Sequence, residues 1–160
     1  MNKTLRLCLL LALISLLAVV GATAATASPP GPASGTVGNT SATFNSVRAT
    51  AGNLIVDLSA TATYTGTFTG TSTLSGTLII HADGSANFHD IEIFTGTVDG
   101  VPGTVTLDLN GSNDSALVVH ATATIIDASG ALAGLHGVLH EVGTVVFPTG
   151  PVGTYSGRIG

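Results

Sequence analysis

The segment YTGTFTGTSTLSGTL, from Tyr64 to Leu78, decides the fold class of this chain. Thr, Ser or Gly alternates there with residues that favour β-structure. Because successive side chains of a β-strand point to opposite faces, such a segment has one small, hydroxylated face and one apolar face. The pattern recurs as GTVTL at residues 103–107, GTVVF at 143–147 and GTYSG at 153–157. It predicts an all-β domain.

Eight strands are predicted from this alternation and from the turn residues between them. Asp83-Gly84 and Asp99-Gly100 are strong hairpin signals, because Asp and Gly tolerate the positive φ of primed turns. Short links of this kind join antiparallel neighbours, and eight such strands suit a closed up-and-down barrel; a β-sandwich is the alternative. The predicted strands are Ala42–Thr50, Leu54–Thr65, Thr71–His81, Ser85–Val98, Val101–Asn110, Ala116–Ile126, Val138–Phe147 and Gly153–Ile159.

Residues 1–27 have the pattern of a secretory signal peptide. Lys3 and Arg6 precede an apolar run, Leu9–Val20, and small residues of the Ala-x-Ala type follow up to Ala27. A membrane anchor is the alternative, but the segment after Val20 is only weakly apolar. We therefore expect a secreted protein, periplasmic or extracellular, with no membrane attachment after cleavage.

The mature chain divides into a flexible linker at 28–40, rich in Pro, Gly and Ser, and a barrel domain at 41–160. Loss of Lys3 and Arg6 changes the formal net charge from −5 to −7 and leaves only Arg48 and Arg158 as cations. Two cations cannot neutralise several phosphates, so nucleic acid is excluded as a partner. The oligomeric state is not predicted.

The motifs of residues 81–107, 127–137 and 153–159 together resemble a bacterial family, domain of unknown function 3224. That family carries the allene-oxide-cyclase-like barrel of calycin type, so the resemblance implies this fold and no established activity. The chain departs from the family in its signal peptide and in the apolar Ile79, Ile80 and Ile93. The matching positions are Asp83, Gly84, Phe88, Ile91, Glu92, Phe94, Gly96, Gly100, Gly103, Gly130, Leu132, Gly134, Leu135, Gly137, Gly153, Thr154 and Tyr155.

Glu92 is the one candidate catalytic residue. It lies in phase with Phe88 and Phe94 on the fourth strand. If this face points inward, burial among apolar groups would raise its pKa and prepare it for general acid catalysis. The alternative is a structural Glu that is hydrogen-bonded inside the barrel or solvated at its mouth. Tyr64 and Tyr155 complete the predicted ligand-binding set, together with Phe88, Glu92 and Phe94.

No metal site or cofactor is predicted. His136 and His140 flank Gly137, which breaks a helix, and on a strand they would lie about 13 Å apart. That distance is too long for two ligands of one ion.

Three functions remain open from the sequence. The first is a barrel that binds an apolar or amphipathic small molecule. The second is a cofactor-free cyclase or isomerase of an unsaturated lipid-like or polyketide-like substrate, by analogy with distant barrels of this shape. The third is a structural or surface-interaction protein with a filled barrel.

The signal peptide yields the first testable prediction. The exported protein should begin near Thr26, at Ala25 or Ser28, which an intact-mass measurement will show. A mature chain that keeps Met1–Val20 would contradict secretion and favour the membrane anchor.

Overall fold

Eight antiparallel strands follow one another in residues 30–160, the part of the chain described by the computed structural model. Each strand pairs with the next, and β8 pairs with β1, so the sheet closes into a barrel. This confirms the predicted all-β, up-and-down architecture. The strands are β1 Gly31–Thr50, β2 Asn53–Gly66, β3 Phe68–Ile80, β4 Ala86–Val98, β5 Val101–Asn113, β6 Val118–Gly130, β7 Gly137–Val146 and β8 Gly150–Ile159. Within these residues, no helix has the length and apolar character needed to cross a membrane.

The prediction of a linker at 28–40 is wrong from Gly31 onward. Residues 31–40 form the first half of β1, which pairs with β8 from Gly31–Ile159 to Gly38–Val152. A ring of strands needs this pairing, since otherwise β8 would keep a free edge. The strand is hard to predict from the sequence because Pro and Gly, which are uncommon within strands, occur throughout this segment. The barrel domain therefore begins at residue 31, and the predicted signal peptide lies outside the described residues.

Two hairpins have the tight geometry that their residues favour. Ala51 and Gly52 have φ values of 47° and 83°, and Asp99 and Gly100 have values of 49° and 81°. Two consecutive positive φ angles define a type I′ turn. Asp83-Gly84 instead lies within the longer connection 81–85 between β3 and β4, so it is not a two-residue hairpin.

One end of the barrel is filled by four aromatic rings. The rings of Tyr64, Phe68, Phe94 and Tyr155 have centroids 5.2–6.2 Å apart, and Leu132 from the β6–β7 connection packs in the same cluster. The Tyr155 hydroxyl accepts a hydrogen bond from Phe68 N at 2.8 Å and donates one to Thr65 O at 3.0 Å. This aromatic plug therefore also anchors the β2–β3 turn.

Gly35 makes room for this anchor, which gives a prediction. A Cβ atom at Gly35 would overlap Thr65 O and the Tyr155 hydroxyl, whereas one at Gly31 on the same strand would meet nothing within 4 Å. We expect Gly35→Ala to lower the free energy of unfolding by about 1–3 kcal/mol through overpacking. Gly31→Ala is the matched control. Equal urea midpoints for the two variants would contradict the proposed crowding.

Candidate functional site

The other end of the barrel contains a cavity of about 240 Å³. The aromatic plug closes it at one side, and it extends to the end where the β3–β4, β5–β6 and β7–β8 connections lie. At that mouth it is lined by Gly84, Leu117 and Phe147. The walls between are mostly aliphatic and come from all eight strands; they include Val37, Leu58, Leu74, Leu78, Ile80, Phe88, Leu109, Val119 and Val145.

Glu92 lies at the closed end of this cavity and is only 1% exposed. Strand alternation turns it inward, between Leu74 on β3 and Leu107 on β5 in the register of the sheet. Ser72 Oγ donates a short hydrogen bond to Oε1, and Tyr64 Oη donates to Oε2 at 3.0 Å. Burial raises the pKa of Glu92, and the hydrogen bonds from Ser72 and Tyr64 oppose that rise.

Tyr64 joins two acids across the lumen. Its hydroxyl oxygen, on β2, lies 3.0 Å from Glu92 Oε2 on β4 and 3.2 Å from Glu141 Oε1 on β7. A phenol has one hydrogen to donate but can also accept. Both contacts are therefore best satisfied when one carboxyl group is protonated and donates to the phenol oxygen. Burial and the charge of Glu92 raise the pKa of Glu141 to about 7, against the effect of the Tyr64 hydrogen bond.

Asp90 is the third acid of the cavity wall and is 5% exposed. Its Oδ1 is buried and has no hydrogen-bond partner among the described residues. Gly76, its partner on β3, leaves room for it, because a Cβ there would overlap Oδ1. Burial and the charge of Glu92 raise the pKa of Asp90 to about 6, and His89 partly opposes this.

No cationic side chain compensates these acids in the described part of the chain. Arg48 lies 3.8 Å from Asp57, with both side chains exposed, and Arg158 donates to Pro30 O at 2.9 Å. Residues 30–160 also contain no three His, Cys, Asp or Glu placed to hold one metal ion. The closed end of the cavity therefore offers hydrogen-bond acceptors and exchangeable protons inside an apolar enclosure.

Three of the five residues that the sequence predicts to bind a ligand line the cavity, and two do not. Tyr64, Phe88 and Glu92 line the cavity, whereas Phe94 and Tyr155 belong to the aromatic plug and do not line it.

Asp90 and Glu141 also line the cavity but are not among the site residues that the sequence predicts. Asp90 lies two residues from Glu92 on β4, so strand alternation places both side chains on the same, inward face. Glu141 has the same inward-facing position in the strand alternation as Leu139 on β7, whereas its neighbour His140 is exposed.

Comparisons with known proteins agree with this architecture. A family model described as a protein of unknown function (DUF3224) matches residues 33–144. A crystal structure of a protein of unknown function from the same family, from Shewanella oneidensis MR-1, superposes with a TM-score of 0.66 at 18% sequence identity. The match covers 82% of this chain and 98% of that one. No curated protein matches the chain.

The buried acids predict how stability depends on pH. Burial raises the pKa of Glu141 from its ordinary value of 4.5 to about 7 in the folded state, and the pKa of Asp90 is raised by the same cause. Between these values the unfolded chain loses protons that the folded chain retains, so stability falls as pH rises. Glu141→Gln should therefore reduce the pH-dependent loss of unfolding free energy by about 1–3 kcal/mol.

Urea unfolding between about pH 4.5 and pH 8 measures this decline. Asp127→Asn, which removes one exposed negative charge from β6, controls for the change in net charge. If Glu141→Gln leaves the decline at its wild-type size, Glu141 ionises freely in the folded protein and does not pair with Glu92 through Tyr64 as described.

Proposed function

We propose that this chain, which belongs to the family of proteins of unknown function DUF3224, binds an amphipathic small molecule inside its barrel. The observation that carries the proposal is a cavity closed at one end, whose walls are mostly aliphatic and whose closed end carries Tyr64, Glu92 and Glu141. Ligand sites commonly have this composition, because apolar walls provide affinity and a few polar groups fix the orientation of the ligand. The hollow end argues against a structural barrel with a filled interior.

The size of the cavity limits the ligand. An apolar cavity of about 150 Å³ accommodates benzene, so the 240 Å³ measured here suits one ring with a short side chain, or an aliphatic chain of similar volume. A long-chain lipid would have to extend through the mouth. We infer that the ligand enters past Phe147 and Leu117 with its polar end directed toward Glu92.

We also propose that the protein acts outside the cytoplasm. The support is the signal-peptide pattern of residues 1–27. A small, secreted barrel with one internal cavity suits the capture or carriage of a small molecule.

A cofactor-free isomerase or cyclase is the second candidate. It is favoured by the contact of Tyr64 with two acids, because a phenol between Glu92 and Glu141 can relay a proton. Glu92→Gln would abolish turnover in such an enzyme but leave apolar binding in place. Binding remains the primary proposal, because the cavity supports it without any assumed reaction.

Binding can be tested with 2-phenylethanol as a probe of matching size. The chain has no Trp, so Phe88→Trp places a single reporter in the cavity wall. We expect saturable fluorescence changes with a Kd of about 0.1–1 mM, as ligand efficiency allows for so small a molecule.

A pair of neighbouring substitutions on β3 tests where the probe binds, by calorimetric titration. Leu78 lines the cavity, whereas Ile79 is exposed on the outer wall. Leu78→Trp should fill part of the cavity and weaken binding at least about tenfold, since lost apolar contact costs affinity in proportion to the area involved. Ile79→Trp is the matched control and should bind as the wild type does. Undiminished binding to folded Leu78→Trp would refute the internal site.

A further inference from the structure

We propose that the ligand is an amine, whose ammonium group lies in the acidic inner part of the cavity, lined by Asp90, Glu92 and Glu141, while its apolar body contacts the aliphatic walls. This inference depends on the binding function proposed above and adds the chemical class of the ligand.

The interior of the barrel carries acids and no basic side chain among the described residues. Its titratable groups are Tyr64 on β2, Asp90 and Glu92 on β4, Glu141 on β7 and Tyr155 on β8; His89 approaches only from the outer face of β4, where it lies 3.0 Å from Asp108. All the interior groups are neutral or negative. Buried charges in proteins are ordinarily paired, and here a bound cation would supply the missing partner.

The carboxylate oxygens of the cavity differ in how many hydrogen bonds they accept. Glu92 receives hydrogen bonds from Ser72 and Tyr64, Glu141 shares the single Tyr64 hydroxyl, and Oδ1 of Asp90 has no partner. Spare acceptor capacity therefore lies at Glu141 and at Asp90, whose unpartnered Oδ1 is packed against Gly76 on β3. An ammonium group has three hydrogens to donate and no acceptor, so it complements such a site. A carboxylate ligand would donate nothing and would be repelled.

The apolar lining of the cavity favours an organic cation over a metal ion. The acids lie among aliphatic side chains, and no three metal-ligating residues converge within residues 30–160. A hydrated ion would bring water against apolar walls, whereas an amine with an apolar body fills them. The geometry therefore favours a molecule that has one cationic end and one apolar end.

The protonation of the cavity then becomes linked to binding. Burial raises the pKa values of Asp90, Glu92 and Glu141, so part of this group is neutral near pH 6. An ammonium group favours the ionised carboxylates, so its binding releases protons. Affinity for an amine should therefore rise with pH until the acids are ionised, whereas affinity for a neutral ligand should not.

Three probes with the same aromatic body test the proposal by calorimetry: 2-phenylethylamine, 2-phenylethanol and 3-phenylpropionate. At pH 8 we expect the amine to bind at least about tenfold more tightly than the alcohol, since a charge-assisted hydrogen bond contributes about 1.5–3 kcal/mol. The carboxylate should bind most weakly. At pH 5 the preference for the amine should shrink to less than about threefold, and at pH 6.5 only the amine should release protons to the buffer.

Two variants assign the preference to residues. Asp90→Asn and Glu141→Gln should each reduce the ratio of amine to alcohol affinity, whereas Asp127→Asn, on the exposed end of β6, should not. The proton-release measurement needs no variant, so it decides the matter even if a substitution prevents folding. If the alcohol binds as tightly as the amine at every pH, the amine proposal is wrong and the binding function stands. If no probe binds, both proposals fail.

Discussion

The pairing of β1 with β8 is the constraint on which the rest of the structure depends. It turns a row of hairpins into a ring, satisfies the backbone groups of both edges and fixes which residues face inward. Once the ring is closed, alternate residues of each strand enter the lumen, except where a β-bulge shifts the register, as in β1 between Asn39 and Ser41. Glu92 and Asp90 are therefore buried because they share the parity of Phe94 on a strand that cannot turn over without exposing that ring.

The distribution of side-chain volume along the barrel separates its filled end from its hollow end. At the filled end the inward positions carry large rings, which meet edge to face and exclude any ligand. Toward the mouth they carry small residues such as Ala86, Gly143 and Gly153, which line the cavity without filling it. A barrel of eight strands can be either packed or hollow, and this one is both, at opposite ends.

Sequence patterns predicted the strands well because turn chemistry and the two-residue period are local properties. The first half of β1 was missed because Pro32 and the surrounding glycines resemble a linker, and only its pairing partners on β2 and β8 reveal its role. Parity identified Glu92 as inward-facing. Strand alternation does not reveal that Phe94 and Tyr155 belong to the aromatic plug and not to the cavity wall. The position of a side chain along the barrel axis depends on strand stagger and on packing between distant strands. Glu141 reaches Tyr64 from 77 residues away, a contact that no local pattern encodes.

Tyr64 marks the boundary between the two ends. Its ring packs against Phe94 at 5.6 Å as part of the aromatic plug, while its hydroxyl faces the acids of the cavity. A phenylalanine there would retain much of the apolar packing but leave Glu92 and Glu141 without their shared donor, and two buried acids in proximity disfavour each other's ionisation. A phenol can donate to one carboxylate and accept from a neutral carboxyl group, so it accommodates the partly protonated pair. When the site ionises fully, one acid loses that partner, and a cationic ligand is the partner that would restore the balance.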